Sequence, residues 1–146
     1  GDLVFAFLKR RLLGNDPLEV KKAAAMTLAY LGGPFALDAL KCTLASGPED
    51  DLAFECARGL VANGCFDHEA ILLKGLQDPT TALHLRLVAA HSLAKSTSDR
   101  ARNALLNMVQ DETQLPPVKN ACAQALGTLA RETGWRALVK GGWESP

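Results

Sequence analysis

The sequence predicts an all-α protein of stacked helical hairpins, and three observations carry that expectation. Leucine recurs at a fixed interval: Leu28, Leu60, Leu93 and Leu126 are 32, 33 and 33 residues apart. Apolar residues between them follow a period near 3.6, and no segment alternates as a half-buried strand does. The prolines fall between the apolar stripes, where a missing N–H is tolerated.

Each helix can be justified in turn. The run from Leu3 supports a first helix over 3–13, stopped by Gly14. Pro17 opens a second over 17–31, whose stripe Val20, Ala24, Leu28 and Leu31 lies at i, i+4, i+8 and i+11, before Gly32 and Gly33. A third over 35–45 follows Pro34 and ends before Gly47 and Pro48. The fourth, 49–63, carries Leu52, Cys56 and Leu60 and closes on Gly64. The fifth, 67–77, is built around Leu72 and the sixth, 80–95, around Leu85, Ala89 and Leu93, with Asp78 and Pro79 between them. The seventh, 99–110, holds Leu105; the eighth, 116–132, has Pro116 and Pro117 in its first turn and Val118, Cys122 and Leu126 along its stripe. A ninth is expected over 134–141, around Leu138.

Aligned on the leucine interval, the units share five columns. They are Leu28, Leu60, Leu93, Leu126; Val20, Leu52, Leu85, Val118; Ala24, Cys56, Ala89, Cys122; Ala25, Ala57, Ala90, Ala123; and Leu40, Leu72, Leu105, Leu138. The small Ala and Cys columns let a neighbouring helix approach, while the leucines fill the space above and below. The chain opens on Gly1 and runs directly into Leu3–Leu8, without a leader, as expected of a segment of a longer protein.

The hydrophobic content of 48% is enough for a continuous core, and 16 basic against 16 acidic residues leave no net charge to steer the chain onto a phosphate backbone. Cys42, Cys56, Cys65 and Cys122 form no C-x-x-C pair and fit a reducing, intracellular setting, cytoplasmic or nuclear. The longest apolar run, Leu3–Leu8, is too short to cross a membrane.

The segments running from Asp16 to Gly32 (DPLEVKKAAAMTLAYLG) and from Val118 to Leu129 (VKNACAQALGTL) resemble the second helix of HEAT repeats, particularly the short HEAT-like form named after phycocyanobilin lyases. The resemblance covers nearly the whole chain and implies a right-handed α–α superhelix, a HEAT/armadillo-like solenoid. It implies four hairpins, 1–32, 33–64, 65–97 and 98–133, in a single domain over 1–146, with 134–146 as a partial fifth or a tail carrying Trp135, Leu138 and Trp143. In that geometry first helices lie on the convex side and second helices line the concave side. Such arrays serve chiefly in binding, so the fold alone leaves the partner open.

Enzyme motifs are absent: there is no Walker loop, G-x-G-x-x-G, G-x-S-x-G or H-E-x-x-H. Deoxyhypusine hydroxylase, also a HEAT-like solenoid, builds a di-iron site from several His-Glu pairs; here His68-Glu69 is the one pair, read as a solvated first turn with Asp67 as cap. His84 and His91 share a helix face without a third ligand and are read as surface residues. Cys56 and Cys122 occupy alanine columns and are read as small core residues. Asp16, Asp78 and Asp111 precede second helices that carry Lys21 or Lys22, Arg86 and Lys119, a pattern resembling the family's structural ladder; Ala53 breaks it in the second unit.

The expectation is therefore a non-catalytic scaffold or adaptor with no catalytic residue, metal or cofactor, holding a protein or peptide segment in its concave groove. The alternative is a nucleic-acid module resembling the HEAT-like DNA glycosylases, and after it a HEAT-like metalloenzyme or lyase. With Val20 at zero on a wheel of about 100° per residue, the buried stripe covers about 0 to 80°, and Lys22 and Met26 fall at about 200° and 240°. The equivalents Phe54 and Arg58, Leu87 and His91, and Asn120 and Gln124 complete the expected binding row, in which Phe54, Leu87 and Met26 supply apolar contact and Arg58 an anchor.

Overall fold

The computed structural model describes residues 2–133. Among them are eight helices and no strand: α1 (Asp2–Leu13), α2 (Leu18–Leu31), α3 (Gly33–Ala45), α4 (Asp50–Ala62), α5 (Glu69–Gln77), α6 (Leu83–Leu93), α7 (Asp99–Gln110) and α8 (Pro116–Thr133). The expected ninth helix, with Trp135, Leu138 and Trp143, lies outside the described residues. The chain divides into two compact units, Gly1–Leu72 and Leu73–Pro146.

In the first unit α2 packs against α1, α3 and α4. Its core is built from Leu12, Leu28, Leu40, Leu52 and Leu60 with Ala24, Ala25, Ala36, Ala39 and Cys56 between them. The tightest approach joins α2 to α4, because Gly59 has no side chain where Ala29 arrives: a Cβ there would stand 2.7 Å from the Ala29 Cβ. Asn63 fastens the same place, its Nδ2 donating to the Ala29 carbonyl at 2.9 Å and the Gly59 carbonyl at 2.8 Å. The turn from α2 to α3 needs Gly32 and Gly33, whose φ angles of 67° and 87° lie in the left-handed region where a side chain would clash.

In the second unit α8 packs against both α6 and α7. Ser98 caps α7 by accepting from the Ala101 N–H at 3.1 Å. Helix α6 starts later than the sequence predicts, because Asp78 holds the turn before it: its Oδ1 accepts from the Thr80 N–H at 2.8 Å and the Thr80 hydroxyl at 2.6 Å. The same clip recurs one repeat later, where Asp111 Oδ1 accepts from the Thr113 N–H at 2.9 Å and its hydroxyl at 2.6 Å.

These clips revise the expected Asp-to-base ladder. Asp78 and Asp111 spend their oxygens on local threonines, and Asp16 accepts from Arg11 at 3.3 Å rather than from Lys21 or Lys22. Arg86 is buried and acts differently: its Nε donates to the Leu76 carbonyl at 3.0 Å, and its Nη2 donates to Gln114 Oε1 at 2.7 Å. The Leu76 carbonyl belongs to the last turn of α5, where no helical N–H can reach it. Gln114 in turn donates to Asp111 Oδ2 at 3.1 Å, so the arginine reaches that carboxylate through an amide.

The leucine column is buried throughout the described units, as are Ala24, Cys56, Ala89 and Cys122. Burial pushes the Cys56 thiol up to about 12, helped by the nearby Glu55 charge, and burial pushes Cys122 up to about 11. Glu69 departs from expectation: it is buried, not solvated. As the first residue of α5 it occupies the positive end of the helix dipole, where burying a carboxylate costs least.

Candidate partner-binding surface

Lys22 and Met26 sit one turn apart on α2, and Lys22, two turns before Ala29, shares the helix face on which Ala29 meets Gly59 of α4. Met26 is 52% exposed and Lys22 half-buried, with its Nζ 3.7 Å from Glu19. On α4, Arg58 is half-buried and donates to Glu55 Oε1 at 3.3 Å. Both cations of this unit's row therefore carry a carboxylate three residues away.

Phe54 corrects the sequence reading: it is only 5% exposed and belongs to the interior. Helix α4 buries Leu52, Phe54, Cys56, Ala57, Gly59, Leu60 and Val61, which spreads its covered arc from about 340° through 0° to about 200°. The expected stripe of about 80° suits a helix packed on one side. Phe54 stands at the far edge of that arc, about 140° round the helix from Gly59, the residue that meets α2.

In the second unit Leu87 is half-buried on α6, and His91, Asn120 and Gln124 are exposed on α6 and α8. His84 is exposed as well. Among the described residues no three His, Cys, Asp or Glu side chains gather as a metal site would require, and no helix is long and apolar enough to cross a membrane.

The basic run Lys9-Arg10-Arg11 is partly neutralised where it lies. Lys9 Nζ is 3.8 Å from Asp38, and Arg11 pairs with Asp16 while its guanidinium carbon stands 5.1 Å over the Phe7 ring.

Sequence reasoning missed the most exposed large side chain of α2, Tyr30, at 89%. Its column reads Tyr30, Ala62, Lys95, Thr128, small or polar in every other unit. An aromatic in a solvent column was the available signal. Compared with models of known protein families the chain matches none, and no curated protein is significantly similar to it.

Proposed function

We propose that this chain is a non-catalytic interaction module of the right-handed HEAT-like solenoid type, an intracellular scaffold or adaptor that takes a protein or peptide segment along its second-helix row. The reading is supported by the internal repeat, by the helical hairpins, and by one observation above the others. The row's cations Lys22 and Arg58 are paired with Glu19 and Glu55, while Met26 stands open beside them. A phosphate-binding groove needs cations with charge to spare, whereas interface cores favour exposed Met and Arg with the charge locally balanced.

The row that carries the proposal is Lys22, Met26, Arg58, Leu87, His91, Asn120 and Gln124, without Phe54. Affinity capture with wild-type protein and with Met26→Glu, His91→Glu tests it, since both side chains are exposed and the fold is expected to survive. Partners should be retained by the wild type and weakened at least about tenfold, roughly 1.4 kcal/mol, by the variant. Tight DNA or RNA binding that collapses as salt rises would overturn the reading in favour of a nucleic-acid module.

A further inference from the structure

The chain's asparagines are Asn15, Asn63, Asn103, Asn107 and Asn120, and only Asn63 precedes a glycine. In that pairing a main-chain nitrogen attacks the neighbouring side-chain amide most readily, because glycine has no Cβ to hinder the approach and its backbone turns freely. Here the reactive pair stands where α2 and α4 are fastened together.

Asn63 is half-buried and satisfies the ends of two helices at once. The Ala29 carbonyl lies in the last turn of α2 and the Gly59 carbonyl in the last turn of α4, where helical N–H donors run out. Asn63 Nδ2 donates to both, at 2.9 and 2.8 Å. Its Oδ1 faces Gly32, where an added Cβ would stand 2.9 Å from it. Gly64 continues the cap with a φ of 82°, donating its N–H to the Val61 carbonyl at 3.0 Å, while the Cys65 N–H reaches the Leu60 carbonyl at 2.9 Å. Both reacting groups are therefore engaged. The Gly64 nitrogen must shed a proton that Val61 holds, and the Asn63 amide must leave two hydrogen bonds.

From this arrangement we infer that Asn63–Gly64 is a modification site gated by the α2–α4 contact, silent while the helices are stacked, converting when they part, and opposing their return afterwards. The step needs only water. Gly64 N gives its proton to solvent and bonds to Asn63 Cγ; the Cγ–Nδ2 bond breaks, and Nδ2 leaves as ammonia, taking a proton back from solvent. One water then opens the cyclic imide, and nothing is oxidised or reduced. Opening at Cγ leaves an aspartate side chain. Opening at the main-chain carbonyl of residue 63 leaves a chain that runs through Cβ and Cγ.

The first product turns carboxylate oxygens, with no hydrogen to offer, toward the Ala29 and Gly59 carbonyls. The second inserts a carbon into the main chain inside the cap, so Gly64 and Cys65 lose their register with Val61 and Leu60, and it too has no amide to donate. In both, two carbonyls lose the donor that satisfied them, which opposes re-stacking. The inference concerns the α2–α4 junction and stands apart from the proposed function.

Peptide mapping by mass spectrometry of the whole chain, aged at mildly alkaline pH, tests it. In guanidinium chloride that unfolds the chain, Asn63 should convert faster than the other four asparagines. In native buffer its rate should fall at least about tenfold, because conversion then waits on local opening. Chain fully converted in denaturant and returned to native buffer should unfold at a lower temperature than chain passed through denaturant briefly. Asn63→Ala, with no amide to convert, should show no such loss on ageing. Asn63→Gln, whose longer side chain closes a ring far more slowly, takes its place if the alanine variant does not fold. Equal conversion of Asn63 in native buffer and in denaturant overturns the inference, since the contact then gates nothing. Conversion in denaturant no faster than at the other asparagines overturns it too. So does converted chain that melts where fresh chain does, or an ageing loss that the control variant shares, because the damage then lies elsewhere.

Discussion

Replacing Gly59 with alanine sets two effects of opposite sign against each other. In an open helix position the change stabilises by about 1 kcal/mol, because alanine loses less backbone freedom on folding than glycine. At Gly59 the new methyl would stand 2.7 Å from the Ala29 Cβ and 3.2 Å from Leu40 Cδ1. Ordinary contact begins at 3.4 Å, so α2 and α4 must separate locally by 0.7 Å, the difference between 3.4 and 2.7. The atom in the way is a Cβ fixed to the α2 backbone and cannot swing aside. Overfilling a packed contact costs about 1 to 3 kcal/mol, and the Asn63 bridge that spans the same two helices adds resistance to any opening. The net expectation for Gly59→Ala is a loss of about 0 to 2 kcal/mol. Gly127→Ala is the internal control, since among the described residues its methyl meets only the far end of Arg131 at 3.9 Å, and it should gain up to about 1 kcal/mol. Urea and thermal unfolding followed by circular dichroism should separate the two variants by about 1 to 3 kcal/mol, at about 2 to 4 °C per kcal/mol for a chain of this size. Equal stabilisation of both variants would refute the close approach of α2 and α4.

Other outcomes follow from the same structure. Thr80 and Thr113, through their hydroxyls first and their N–H groups next, hold the Asp78 and Asp111 carboxyls below the ordinary 3.8. A carboxyl lowered in the folded state contributes stability above 3.8 that is lost as pH falls through its folded value. Thr80→Val with Thr113→Val should raise both carboxyl midpoints in an NMR titration and shrink the stability difference between about pH 5 and about pH 3. A thiol reagent at neutral pH should reach Cys42 and Cys65 quickly and leave Cys56 and Cys122 untouched until the chain unfolds, since burial disfavours both the thiolate and access. Rapid reaction at Cys56 would contradict its place in the core.

The helices and their leucine column were legible because burial along a repeat is a property of the period itself, and Leu28, Leu60 and Leu93 are each enclosed whatever their local neighbours. Phe54 was not, because the width of a buried arc depends on how many helices press on α4, and no residue of α4 states that number. The clips at Asp78 and Asp111 were hidden by a competing pattern. A base follows each aspartate in register, but a hydroxyl and an N–H two residues away need no long side chain to be ordered, and they claim the carboxylate first. The exposed Val20 and the exposed Ala123 shared columns with buried residues, and periodicity alone assigns one environment to a whole column.

Arg86 gives the second unit a property that neither of its partners has alone. One guanidinium closes the end of α5 through the Leu76 carbonyl and steadies the α7–α8 turn through Gln114. Fraying is ordinarily a private event, in which each helix end and each turn opens at its own rate and recloses without informing the others. Here neither end can loosen without disturbing the shared cation, and a buried cation that loses one partner presses the other to follow it. The two turns, 38 positions apart from Leu76 to Gln114, therefore form one cooperative element, opening together or not at all.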